Sequence, residues 1–113
     1  MQKIIRKLNI TEFEKYINEV KYNEYFTEKE RELYGKRRKK GSLAARYLLK
    51  NIIIENIDKN LKYSDIEILN NDFGKPVLAI HKLEQENLKK IHFSISHSKD
   101  DAIVLFVIDT DDL

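Results

Sequence analysis

At 113 residues and 42% hydrophobic content, the chain suits one compact domain, and a second is not expected. Its 21 Lys+Arg against 19 Asp+Glu give a net charge of +2, so no global field demands a nucleic acid or a membrane, and a charged partner needs a local site. The absence of cysteine excludes disulfides, thiolate chemistry and the usual structural zinc site.

Lys3 to Leu8 reads as a short strand. Thr11-Glu12-Phe13-Glu14 has the form of a capping box, in which Thr and Glu satisfy two orphan amides at a helix start, and Phe13, Tyr16, Ile17 and Val20 then share one helical face. FTEKERELY (Phe26 to Tyr34) again sets a Thr before a helix-favouring stretch, with Gly35 placed to stop it. From Ser42, read as an N-cap, SLAARYLLKNIIIENIDKN is a longer helix, apolar on most sides and therefore buried on most sides. Asp65 to Leu69 and Val77 to Ile80 alternate as strands around the turn Asn70 to Gly74, a hairpin. Ile91 to Ser96 and Ala102 to Ile108 make another, joined by Ser98-Lys99-Asp100-Asp101. The expected class is α+β, helices packed on one side of a largely antiparallel sheet, as a single domain over residues 1–113. The start MQKIIRKLNITEFEKY has no apolar run of signal-peptide length, and no segment approaches the roughly 18 continuous apolar residues of a spanning helix. A soluble, cytoplasmic protein is expected.

Four local features carry chemistry. Arg46 and Lys50 are four apart on the long helix, hence neighbours on one face; they either meet an anion or snorkel to solvent. Gly74-Lys75-Pro76 sets a cation after a glycine turn but lacks the Gly-rich spacing of a nucleotide-binding P-loop. Lys36-Arg37-Arg38-Lys39-Lys40 is a basic run that can bind phosphates or an acidic partner, or simply be solvated. His97, between Ser96 and Ser98 at a strand end, can act as a ligand, a base or a turn cap.

The order of these features is informative: a helix bearing Glu30, a basic loop, a helix with LAARYLLK, a strand, FGKP, a strand, then HFSISHSKDDAIVLFV. It resembles the 4′-phosphopantetheinyl transferases, in particular the short holo-(acyl carrier protein) synthases, over nearly the whole chain. The FGKP and SISHS motifs carry most of the resemblance. It implies that Arg46, Lys50, Lys75, Ser96 and His97 surround the phosphates of coenzyme A, that Pro76 lies near its adenine, and that Glu30 and Lys50 serve catalysis. The implied reaction moves phosphopantetheine from coenzyme A to a serine of an acyl carrier protein, by attack on the β-phosphorus, with charge neutralisation doing most of the catalysis.

The family's two metal-binding carboxylates align with Asn9, in Lys7-Leu8-Asn9-Ile10, and Asn51, in Leu49-Lys50-Asn51-Ile52. An amide carbonyl brings no charge, whereas Mg²⁺ favours carboxylate oxygens. Glu30, Glu55, Asp109, Asp111 and Asp112 are other acids, none at a family metal position. Three readings follow: a working transferase whose substrate phosphates hold most of the metal shell; a half like the first of the two tandem folds in the larger surfactin-type transferases, completed by another subunit; or a non-catalytic module binding coenzyme A or a carrier protein. Short members are trimers with sites between subunits, so the resemblance implies a homotrimer, or a heteromer under the second reading. It also makes Lys15 with Lys36, Arg37, Arg38, Lys39 and Lys40 the docking surface for an acidic carrier. An unrelated reading is an RNA-binding module stacking bases on Tyr34, Tyr63 or Phe93; near-neutral net charge argues against it, and neither nucleic acid nor membrane is expected as a partner.

Overall fold

Strand β1 (Gln2–Asn9) alternates, with Ile4 and Leu8 packed on the core and Lys3, Ile5 and Lys7 exposed on the other face. The computed structural model describes residues 1–35, 40–81, 83 and 90–109. Helix α1 (Ile10–Tyr16) follows at once, and its N-cap is Asn9, whose Oδ1 accepts the Glu12 amide at 3.0 Å. The expected Thr11–Glu14 box is therefore corrected: extended backbone at Asn9 starts the helix two residues earlier, leaving Thr11 inside its first turn. A second cap, Asn18 on the Lys21 amide, opens α2 (Glu19–Tyr25). This break scatters the expected apolar face. Phe13 is buried, but Tyr16 and Val20 are 73% and 76% exposed.

Helix α3 (Glu28–Tyr34) behaves as its sequence suggests, with a Thr27–Glu30 capping box and Gly35 at its end. The long helix α4 (Lys40–Asn56) already includes Ser42, which is not its cap, and it closes at Asn56, whose side-chain amide donates to the Ile52 carbonyl at 2.8 Å. Leu48, Leu49, Ile52 and Ile53 are buried against Val104 and Phe106, so α4 is the spine of the core. At about 25 cal/mol per Å² of apolar surface removed from water, such side chains each contribute roughly 1.5–3 kcal/mol.

A 3₁₀ turn, η1 (Tyr63–Asp65), leads into β2 (Ile66–Asn70), which pairs with β3 (Pro76–Ile80). Strands β4 (Ile91–His97) and β5 (Asp101–Ile108) pair likewise, with β1 on the other edge of β5. All pairings are antiparallel, but the strands form two sheets, β1-β5-β4 and β2-β3, where one was expected. Helix α4 packs on the inward face of the larger sheet. The outward face shows solvent Ile5, 68% exposed, and Ile103, 40% exposed.

Candidate functional site

Strand alternation settles where His97 lies. Ile91, Phe93, Ile95 and His97 pair in register with Ile108, Phe106, Val104 and Ala102, the inward positions of β5. The imidazole therefore takes the last inward slot of β4, at the end where α4 begins. There Gly41 supplies no side chain, and a β-carbon built on it would sit 2.6 Å from the His97 Nδ1. The turn after the strand is closed by Ser98: its amide donates to the Asp101 carbonyl at 2.8 Å, and its Oγ accepts the Asp101 amide at 3.2 Å.

His97 stands between two cavities. One, of about 170 Å³, is lined by Ser42, Arg46, Asn70, Gly74, Pro76, Ile95 and His97. The other, of about 220 Å³, is lined by Ile10, Glu14, Lys40, Gly41, His97, Ser98 and Lys99. The first cavity has a hairpin rim whose shape is local chemistry. The Asn71 Oδ1 accepts the amides of Phe73 (2.9 Å) and Lys75 (3.0 Å), Gly74 adopts φ 80°, a conformation suited to glycine, and Pro76 opens β3, a position proline tolerates.

Arg46 lies at the cavity's base, 3% exposed. Its Nε donates to the Ile68 carbonyl at 2.8 Å, Nη1 to the Ser42 carbonyl at 3.1 Å and Nη2 to the Asn70 Oδ1 at 3.2 Å. The guanidinium also covers the Tyr34 ring at 3.7 Å, and the Tyr34 hydroxyl accepts the Asn70 amide at 2.8 Å. Burial lowers the Arg46 pKa, opposed by Tyr34 and Glu30. The guanidinium thus lines the cavity while its bonds hold it in place. Asn70, Ser42, Ser98 and Lys99 were read from the sequence as cap or turn residues and not as site residues; Ser98-Lys99 directly follows His97, which was the available signal.

Several expectations need correction. Lys50, one turn from Arg46, does not reach this cavity. It is fully buried, its Nζ 2.5 Å from Glu30 Oε1, 2.8 Å from the Tyr25 carbonyl and 3.2 Å from the Tyr63 carbonyl, so its three donors are engaged inside the protein. Burial lowers the Lys50 pKa, and the Glu30 charge opposes the shift. Glu30 is equally enclosed: Oε1 also accepts the Thr27 amide and Oε2 the Ile68 amide. The pair joins α3, α4 and β2, away from the cavity that Arg46 and His97 line. Ser96 falls on the outward face, opposite Ile103, because a neighbour of His97 along a strand must point the other way. Lys75 is exposed between the cavity-lining Gly74 and Pro76.

The amide positions do not form a metal centre. The Asn9 Oδ1 is the α1 cap, and the Asn51 Oδ1 accepts from the Tyr63 hydroxyl at 2.5 Å. Burial raises the Tyr63 pKa, so this hydroxyl stays a donor. Glu55 instead pairs with Arg6, and no cluster of three His, Asp or Glu that could hold a metal occurs among the described residues. Mg²⁺ does not fit these groups. Asp111 and Asp112 lie outside the described residues.

Of the basic run, Lys36, Arg37, Arg38 and Lys39 lie outside the described residues. Lys40 binds Glu14 at 2.9 Å, while Lys15 is exposed. The supposed stacking rings are occupied: Tyr34 lies under Arg46, Tyr63 packs 4.7 Å from Tyr25, and Phe93 packs on the core. No helix among the described residues is long and apolar enough to cross a membrane.

Residues 10–107 match a family model described as 4′-phosphopantetheinyl transferase, N-terminal. The chain is 36% identical over 93 residues to a holo-[acyl-carrier-protein] synthase of Clostridium tetani, covering 74% of each. It is 32% identical over 114 residues to the synthase of a Geobacillus species, covering 90% of this chain and 92% of the relative. Among solved structures, a holo-(acyl-carrier-protein) synthase from Bacillus anthracis in complex with CoA (3′,5′-ADP) superposes with a TM-score of 0.75 at 28% identity, over 94% and 93% of the two chains. A Helicobacter pylori synthase in complex with coenzyme A shares the fold, TM-score 0.75, at 23% identity, over 96% of this chain and all of that one, 100%. Fold, FGKP hairpin and matched length agree: the chain belongs to the 4′-phosphopantetheinyl transferase family of enzymes, in its short holo-(acyl carrier protein) synthase branch.

Proposed function

We propose that the chain, acting as one domain, transfers 4′-phosphopantetheine from coenzyme A to a serine of an apo acyl carrier protein. The observation that carries the reading is the meeting of His97, Arg46 and the Gly74–Pro76 turn around one cavity. An imidazole, a guanidinium and a tight backbone turn from three separate elements suit a phosphate group better than an apolar ligand. The structure of the B. anthracis relative in complex with CoA (3′,5′-ADP) gives the ligand class.

In this reading Arg46 and His97 donate to phosphate oxygens, Lys75 adds charge from the rim, and Pro76 offers an apolar surface to the adenine. The carrier serine Oγ attacks the β-phosphorus, the Oγ–P bond forms, the P–O bond to 3′,5′-ADP breaks, and the serine proton leaves to solvent or product. Because Asn9 and Asn51 are committed elsewhere, no step is assigned to a metal held by them. That same observation favours a second reading, a partner-dependent or non-catalytic coenzyme A-binding subunit.

The basic residues Lys15 and Lys36 to Lys40 dock the acidic carrier. The apolar outward sheet face supports a homo-oligomer, with a trimer as the specific form. The test is to incubate the protein with coenzyme A and an apo carrier, with and without Mg²⁺, and weigh the carrier. A carrier heavier by one phosphopantetheine, lost with His97→Ala, is the expected result. Coenzyme A binding without the mass gain supports the second reading, and neither binding nor transfer contradicts both.

A further inference from the structure

We infer that Gly41 is a positioning residue for His97: its missing side chain lets the first turn of α4 press on the imidazole and aim it between the two cavities. This rests on the proposed role of His97 toward coenzyme A phosphate.

A β-carbon at Gly41 would come within 2.6 Å of Nδ1, 2.8 Å of Cγ and 3.2 Å of the β-carbon of His97, closer than non-bonded carbon atoms pack. Gly41 is itself buried, although it sits in the opening turn of a 17-residue helix, where glycine weakens the helix relative to alanine. His97 is an exposed side chain at a strand end, so it is the partner free to yield. Adding a methyl therefore rotates the ring away from α4 and leaves both core clusters in place. The same first turn brings Lys40 and Ser42 to opposite cavities, so the glycine marks where helix and strand end meet across the imidazole. The three atoms nearest to such a β-carbon all belong to His97; Gly41 also lines the second cavity, so a direct effect on a ligand has to be separated from one that passes through the ring.

The test is a double-mutant cycle read by calorimetry with coenzyme A on the full chain, using Gly41→Ala, His97→Ala and the double variant. Gly41→Ala should weaken binding about tenfold, the size expected for one charge-assisted hydrogen bond, while its melting temperature stays equal or rises. In the His97→Ala background, where of these three atoms only the β-carbon remains, 3.2 Å from the added methyl, Gly41→Ala should have little further effect on coenzyme A affinity. The His97 imidazole proton resonances should move in Gly41→Ala, which a purely structural glycine would not require. Equal weakening by Gly41→Ala in both backgrounds, or unmoved resonances, overturns the positioning role. Unchanged affinity in His97→Ala overturns the phosphate site instead, and with it this role, even where the resonances move.

Discussion

Arg46 and Lys50 are neighbours on α4, yet they do different work. A cation pair at this spacing is legible in sequence as pointing one way; what each cation meets is not. Arg46 keeps one edge on a cavity. Lys50 is turned into the protein by Glu30, a residue 20 positions earlier in the chain, which no local pattern connects to it. Removing one partner of a buried pair strands the other charge, so Lys50→Met should destabilise the protein by about 3–5 kcal/mol. Urea titration measures this, and coenzyme A affinity of the folded fraction should be unchanged. A fully stable Lys50→Met protein that had lost coenzyme A binding would restore Lys50 to the site. His97 was easier to read, because it ends an alternation of inward Ile91, Phe93 and Ile95. The same alternation excluded Ser96, and motif resemblance alone had put the two side by side.

Caps decided the helices more than periodicity did. Asn9 and Asn18 each place an amide oxygen on a backbone N–H and so divide what reads as one amphipathic segment into α1 and α2. Thr27 with Glu30 was legible because both halves of that cap lie within four residues. The strands of the larger sheet were legible one by one, whereas the pairing of β1 with β5 was not. The sheet's outward face sets Ile5 beside Leu105, and Ile103 beside the charged Lys7; Ile5, Leu105 and Ile103 make a short apolar stripe without a helix over it among the described residues, while α4 fills the inward side. Such a stripe is a normal interface core. Ile5→Glu with Ile103→Glu should reduce the mass seen by light scattering to that of one chain, with little loss of helical signal. An assembly that survives both substitutions would place the subunit contact elsewhere.

The least legible feature was how separate pieces converge. Sequence order suggested the family, and relatives matched over most of their length agree with it. The division into two sheets, the contact of Gly41 with His97 and the closing of the cavity by Asn70 and Ser42 all depend on residues distant in sequence. They follow from α4 lying across both sheets, with Arg46 bonded to the β2 carbonyl of Ile68. The most direct test of this convergence is a crystal structure of the protein with coenzyme A. A phosphate within hydrogen-bond distance of both His97 and Arg46, bordered by the Gly74–Pro76 turn, is expected. A nucleotide seated in the tyrosine-lined cavity of Phe13, Tyr16, Tyr25 and Tyr47, with His97 and Arg46 free of phosphate, would contradict it.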